Sequence, residues 1–320
     1  MALDVLLWVA VFVASLLVLI KSSDYFTLSA EKIGLYFGLP AFIIGVTIVA
    51  LGTSLPELLS SIIAVLQGSS EMVVGNVIGS NIANIFLVLG ISAIIGKKLK
   101  IGFELMHVDL PILMASALYL AVTIWDGVFT WGEGVLGLAG LVVYILYTVN
   151  TEREDKHTKT KKAVKKIKIK KSFPIKPSVI LLISGFFIFI GAKYTVESVI
   201  KLSQIFNIGT EIIAVSAVAL GTSLPELMVS ISAARKGNAE MAVGNVLGSN
   251  IFNAFAVMGI PAFFGALVVP STILSFGLPM MLIASFLYLI MTMEREVTRW
   301  EGWTLLIFYV FFIGKTFGMF

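Results

Sequence analysis

One block of eight residues occurs twice in this chain. Residues 50–57 read Ala-Leu-Gly-Thr-Ser-Leu-Pro-Glu, and residues 219–226 read the same. A second pair follows, Gly-Asn-Val-Ile-Gly-Ser-Asn-Ile-Ala-Asn at 75–84 and Gly-Asn-Val-Leu-Gly-Ser-Asn-Ile-Phe-Asn at 244–253. Both pairs share an offset of 169 residues (226 − 57 and 253 − 84), and between them Gly68 and Glu71 answer Gly237 and Glu240. Eight consecutive identities inside apolar sequence do not arise from composition alone. The chain is two copies of one unit.

The solvent for those units is lipid. Of the 320 residues, 58% are hydrophobic and 13% charged, against about 25% charged in soluble domains. Windows long enough to cross a hydrocarbon core, about 20 residues, fall near 4–28, 40–66, 72–95, 106–124, 132–149, 178–202, 210–234, 240–265, 271–292 and 300–318. Pro and Gly inside them are tolerable in membrane helices. The apolar run from Val5 to Ile20 has no basic region before it and leads into more membrane sequence, unlike a cleaved signal. There is no Cys, and the only histidines, His107 and His157, sit near expected span ends. Thiolate and histidine chemistry therefore have little to work with.

Ten spans make five per half, so the second half enters the membrane from the opposite side. The expected fold is an all-α membrane protein of ten helices in two inverted five-helix repeats, with helices 2 and 7 discontinuous. Residues 1–149 form the first repeat, 150–177 a basic linker and 178–320 the second repeat. Inverted repeats are a transporter architecture with the site at the midplane. Charge sets the orientation. Lys32, then Lys97, Lys98 and Lys100, then the linker, then Arg235 and Lys236, then Arg295 and Arg299 all fall in alternate loops. The loops after spans 2, 4 and 8 hold no Lys or Arg, and Lys201 and Lys315 are the exceptions. This asymmetry places the linker in the cytoplasm and both termini outside a cell membrane. The linker holds ten basic residues from Arg153 to Lys171, including Lys166-Ile167-Lys168-Ile169-Lys170. Such a run sets topology and can also meet anionic headgroups.

Glu57 and Glu226 fall near the middle of spans 2 and 7. An ionisable side chain at that depth is costly and functional by default. The bland alternative is a neutral carboxyl bonded to a neighbouring helix, and the equivalent placement of two such acids counts against it. Pro56 and Pro225 lack an N–H, so the carbonyls of Gly52 and Gly221 lose their helical donors. Carbonyls freed at membrane depth are how discontinuous helices hold cations. Thr53 lies four residues before Glu57, Ser80 four before Asn84, and Thr222 with Glu226 and Ser249 with Asn253 repeat the spacing, so each pair can share a face. All these ligands are oxygens, which suits a hard cation. Ca²⁺ takes six to eight of them, whereas Mg²⁺ dehydrates reluctantly. Asn81 and Asn250 could bond across helices, and Gly75, Gly79, Gly244 and Gly248 are spaced for close helix packing. Asp24, Asp109 and Glu197 are expected near span ends, in interfacial roles.

The paired G-T-S-L-P-E and G-N-x-x-G-S-N-I blocks resemble the two α-repeats of the Ca²⁺:cation antiporter superfamily, in particular its prokaryotic sodium/calcium exchanger branch. That superfamily also contains an archaeal proton-coupled exchanger with a sodium-exchanger-like sequence. The resemblance implies a secondary transporter, not an enzyme, that extrudes Ca²⁺ by alternating access, with spans 1 and 6 sliding over a core of the other eight. It implies that Glu57 and Glu226 bind Ca²⁺. Thr53, Ser54, Ser80, Thr222, Ser223 and Ser249, with the carbonyls of Ala50 and Ala219, match sodium-site ligands, and Asn84 and Asn253 take the central amide positions. Some archaeal members carry Asp where this chain has Asn253. Two carboxylates are neutralised by one Ca²⁺ or by two protons, whereas three Na⁺ leave an excess positive charge. The full hydroxyl set favours Na⁺, so H⁺ and Na⁺ stand about even, with the charge count tilting to H⁺. The partners expected are Ca²⁺, a monovalent cation and the bilayer, around a monomeric transport unit, with no nucleic acid and no cofactor. The rivals are a cation channel, which usually needs an oligomeric pore, and an exchanger for another hard divalent cation. A hydrolase built on Ser54 or Ser223 would lack a His or Lys base.

Overall fold

The computed structural model describes residues 2–36, 50–100, 109–159, 174–237 and 239–319. His107, the first part of span 2 and the Lys166–Lys170 alternation lie outside the described residues. The described residues are mostly helical, with four strands of two or three residues among them. In order, the elements are α1 (Ala2–Tyr36), α2 (Ala50–Thr53), α3 (Leu55–Leu66), α4 (Glu71–Gly96), β1 (Lys98–Lys100), α5 (Leu110–Thr123), β2 (Val128–Phe129), α6 (Trp131–Lys159), α7 (Ile175–Phe206), α8 (Thr210–Thr222), α9 (Leu224–Arg235), α10 (Ala239–Phe252), β3 (Leu267–Val268), α11 (Leu278–Met293), β4 (Glu296–Thr298) and α12 (Arg299–Thr316).

Among the described residues six helices are long and apolar enough to cross a membrane, or seven if the bent pair α8–α9 is one span; α3 and α5 are shorter apolar helices. The chain is thus an all-helical, multi-pass membrane protein. Several elements overrun their expected ends. α1 has 35 residues and α7 has 32, each about 50 Å at 1.5 Å per residue, beyond the roughly 30 Å of a hydrocarbon core. α6 continues through Thr151 to Lys159, into the expected linker, because no Gly or Pro interrupts it after Gly140. Asp24 pairs with Lys21 on an exposed face of α1 (3.5 Å). Asp109, expected to be interfacial, is half-buried at the start of α5 and bonded to Tyr144 of α6.

The motif-bearing helices are the inside of the molecule. In the window Glu71–Gly96, 78% of residues are buried, and in Met241–Phe263, 83%, against 11% in Trp131–Thr148. Outer helices present Leu, Val, Phe and Trp outward, as lipid-facing surfaces do. α1 and α7 pack along each other. Gly191 lies against the backbone of Leu19, and Thr195 Oγ1 donates to Ser15 Oγ at 3.0 Å.

The strands carry the repeat symmetry. β1 pairs with β4 (Leu99 opposite Val297), and β2 pairs with β3 (Val128 opposite Val268). Shifting Leu99 forward by 169 gives Val268, and shifting Val297 back by 169 gives Val128, so one ribbon is the image of the other. Each ribbon ties one half of the chain to the other. Close helix packing also crosses the halves. A Cβ on Gly79 of α4 would collide with the Val215 carbonyl of α8, and one on Gly75 would come within 2.8 Å of the Glu211 carbonyl. Gly244 and Gly248 hold the equivalent positions in the second repeat.

Candidate cation site

Each Ala-Leu-Gly-Thr-Ser-Leu-Pro-Glu block folds as a helix end, a break and a helix start. The break residues are Ser54 (φ −92°, ψ 9°) and Ser223 (φ −79°, ψ 3°), each followed by a helix with Pro in its first turn. Their ψ near zero is the sparsely populated bridge region, and Pro is tolerated in a first turn, where N–H groups have no helical acceptor. α8 and α9 meet at 40°. Gly at the position before each Thr lets α1 lie against both breaks. A Cβ on Gly52 would collide with the Thr27 side chain, and one on Gly221 with Leu16.

Glu57 and Glu226 follow these breaks, both 0% exposed, and lie close enough to one another to interact electrostatically. Ser54 of the first repeat donates to Glu226 Oε1 at 3.3 Å, and Ser249 donates to the same oxygen at 3.3 Å. Thr53 stands beside Glu226 and Thr222 beside Glu57. Each threonine therefore stands next to the carboxylate of the opposite repeat, although the spacing in sequence suggests the Glu four residues on. The helix break between each Thr and its Glu is the reason. Thr222 gives its proton to the Val218 carbonyl at 3.1 Å. The Ala219 carbonyl accepts from the Ser223 N–H at 3.1 Å, so it is engaged within its own helix. Ala50 opens α2 at the equivalent point.

Asn84 and Asn253 are also fully buried. Each begins a π-helical turn, Asn84–Leu89 in one half and Asn253–Val257 in the other. Such turns are frequent at functional sites. Asn84 Nδ2 donates to Asn250 Oδ1 at 3.0 Å, and Asn250 Nδ2 donates to the Asn81 carbonyl at 3.3 Å, so the amides do bond between the halves. Nine side-chain oxygens of the repeated blocks are buried without a hydrogen-bond partner: both of Glu57, Oε2 of Glu226, and those of Asn76, Ser80, Ser223, Asn81, Asn84 and Asn253. In protein surroundings each costs about 1–3 kcal/mol. A hard cation, which takes six to eight oxygens, is the ligand that such a set fits. Among the described residues no three His, Asp or Glu side chains gather, so a cation here would have two carboxylates and otherwise neutral oxygens.

Two residues escaped sequence reasoning. Asn76 Nδ2 donates to the Glu57 carbonyl (3.4 Å) and to Ser61 Oγ (3.3 Å). Asn245 Nδ2 does the same to the Glu226 carbonyl (3.1 Å) and Ser230 Oγ (2.9 Å). All three positions are related by 169. These clamps fix the turn that carries each Glu against α4 or α10. Their signal was available, since Asn76 and Asn245 fall inside the duplicated blocks.

Residues 7–150 and 176–317 match the sodium/calcium exchanger protein family. The chain belongs to that family. It is a secondary transporter, a cation antiporter of the sodium/calcium exchanger type. It is 35% identical to the sodium/calcium exchanger MaX1 of Methanosarcina acetivorans over 95% of this chain and 96% of that protein. It is also 29% identical to the inner membrane protein YrbG of Escherichia coli, over 93% and 92% of the two chains. Its fold matches the sodium-calcium exchanger NCX_Mj, solved after soaking in 10 mM Na⁺ and 10 mM Sr²⁺, with TM-score 0.68, 32% identity and coverage of 97% of this chain and 98% of that one.

Proposed function

We propose that this antiporter exchanges Ca²⁺ for a monovalent cation by alternating access, at one site shared by Glu57 and Glu226. The observation that carries this is the pair of buried carboxylates, one from each repeat, ringed by hydroxyl and amide oxygens of which many are unpaired. The site comprises Glu57, Glu226, Asn84 and Asn253, with Thr53, Thr222, Ser54, Ser223, Ser80, Ser249 and the carbonyls of Ala50 and Ala219. NCX_Mj, whose crystals were soaked with Na⁺ and Ca²⁺ or Sr²⁺, supports the same ions here.

The architecture proposed is ten spans in two inverted five-helix repeats, residues 1–149 and 178–320, joined by a cytoplasmic linker at 150–177, with both termini outside. Three features support the inversion. The ribbons repeat with the 169-residue offset. Exposed Trp125 and Trp131 flank β2, while exposed Trp300 and Trp303 follow β4, as aromatic belts at two interfaces would. Alternate loops carry the Lys and Arg.

The counter-ion is H⁺ or Na⁺. The charge count of two carboxylates tilts to H⁺, while the hydroxyls and the named relatives favour Na⁺. Ca²⁺ counter-flow in proteoliposomes, driven separately by a Na⁺ gradient and by a pH gradient, tests both parts. Ca²⁺ movement driven by one gradient assigns the counter-ion, and Ca²⁺ movement driven by neither overturns the exchange.

A further inference from the structure

α1 touches every piece of chain that frames the two helix breaks, α2 and α3 in one half and α8 and α9 in the other. Two rows of its residues are buried in different company. Ser15, Leu19 and Phe26 lie against Thr195, Gly191 and Gly185 of α7. Leu16 and Thr27 lie instead against Gly221 and Gly52, each two residues before a break. Leu16, Ile20, Ser23 and Thr27 fall within about 60° of one another around an α-helix, so Ser23 belongs to the row that faces the breaks. Along the axis it stands about 6 Å from Thr27 and about 10 Å from Leu16, between the two contacts. Thr53, which follows Gly52, is beside Glu226, and Thr222, which follows Gly221, is beside Glu57. The interval that Ser23 faces is therefore the one between the two carboxylates.

Ser23 is 1% exposed, and its hydroxyl has no hydrogen-bond partner among the described residues. Other buried helical serines return their proton to a carbonyl of the preceding turn, as Ser60 does to Pro56 (2.6 Å), Ser198 to Thr195 (2.8 Å) and Ser285 to Met281 (3.0 Å). Leaving a buried hydroxyl unpaired is costly. Among the described residues three more buried serine hydroxyls lack a partner: Ser80 and Ser223 of the duplicated blocks, and Ser92. Ser92 lies about 12 Å along α4 from Asn84, on the row that ends with Gly96 against Ala234 of α9. Ser23 has no serine mate. Shifting it by 169 gives Ala192 of α7, which is 0% exposed. A methyl group fills the same place in the other half, so packing alone does not call for a hydroxyl.

We infer that Ser23 is a further ligand of the transported cation, offering its oxygen from α1 to the site shared by Glu57 and Glu226. This rests on Glu57 and Glu226 being the cation site. A hydroxyl is a hard, neutral oxygen donor of the kind Ca²⁺ takes, and it leaves the charge of the two carboxylates unchanged. It comes from outside the duplicated blocks and from one half alone, so the ligand shell is not two-fold symmetric.

Equilibrium Ca²⁺ binding to the purified full chain tests this with Ser23→Ala and Ser23→Cys. Ser23→Ala gives position 23 the side chain its mate already has. It should raise the half-saturating Ca²⁺ concentration about tenfold, the scale of one bond to a charged group. Ser23→Cys replaces the hard oxygen by a soft sulfur of similar size, in a chain that has no other Cys. It should weaken Ca²⁺ as much and strengthen competition by Cd²⁺, a soft divalent ion, about tenfold over wild type. A packing role predicts no gain for Cd²⁺. Ser92→Cys, equally buried, should alter neither ion. An unchanged Ca²⁺ half-saturation in Ser23→Ala overturns the assignment, as does Ser23→Cys with no gain for Cd²⁺ or with a gain that Ser92→Cys shares. Glu57→Gln and Glu226→Gln are measured alongside. If either keeps wild-type Ca²⁺ binding, the two-glutamate site fails; if both lose it while the Ser23 variants bind as wild type does, only the Ser23 ligand fails.

Discussion

Removing the Asn245 side chain should destabilise the protein more than removing its mate Asn76. Asn245 makes bonds of 3.1 and 2.9 Å to the Glu226 carbonyl and Ser230, whereas Asn76 makes bonds of 3.4 and 3.3 Å to the Glu57 carbonyl and Ser61. Interhelical hydrogen bonds in membranes average about 0.6 kcal/mol and reach about 1.7. Two well-formed bonds therefore put Asn245→Ala at about 1–3 kcal/mol. The Asn76 pair is longer than the usual range of 2.7–3.2 Å for N–H···O, so Asn76→Ala should cost about half as much. Ser230 has a fallback, since it also donates to the Ala242 carbonyl at 3.4 Å, while the Glu226 carbonyl loses the amide that ties α9 to α10. Thermal unfolding in detergent measures the stability difference. Ca²⁺ uptake adds the functional part: both variants should raise the half-saturating Ca²⁺ concentration, because the turn carrying each Glu loses its clamp. Equal losses in the two variants, or an unchanged half-saturation, would refute the clamp.

Gly79→Ala places a methyl group against the Val215 carbonyl, so α4 and α8 must separate; overpacking of this kind costs about 1–3 kcal/mol. A lower unfolding temperature and slower Ca²⁺ exchange are expected, and a variant as stable as wild type would contradict the close approach. For topology, a Cys placed at Thr160 should escape an impermeant reagent applied to sealed, correctly oriented cells; efficient labelling would reverse the orientation. Under proton coupling, Ca²⁺ binds where both carboxylates are ionised, so affinity should weaken as pH falls, by up to about a hundredfold per pH unit for two displaced protons. A flat pH profile together with strong competition by Na⁺ would assign Na⁺ instead.

The duplicated blocks alone located the buried centre: Glu57, Glu226, Asn84 and Asn253 are all fully enclosed, and the helices carrying them break or widen there. The breaks were legible because Pro56 and Pro225 remove a backbone donor whatever the surroundings. The π-helical turns at Asn84 and Asn253 were not legible, since a register of i to i+5 depends on what packs against the helix. The ribbons were missed because strands of two or three residues are too short for an alternating pattern to stand out. Their partners also lie far away in sequence, 140 residues for Val128 and Val268 (268 − 128). The pairing of Thr53 with Glu226 was hidden for a related reason. Helical spacing predicts neighbours only within an unbroken helix, and the break at Ser54 sends the two sides to different partners. The difference between the Glu57 and Glu226 halves could not be read from residues that repeat with the same chemistry.

The central claim is that Glu57 and Glu226 together hold the transported Ca²⁺. Equilibrium Ca²⁺ binding to purified Glu57→Gln and Glu226→Gln, each confirmed folded by its unfolding transition, tests it most directly. Each substitution keeps the side chain's size and removes one of two charges. The account predicts that both variants lose measurable Ca²⁺ binding while remaining folded. Wild-type affinity in either one would contradict it.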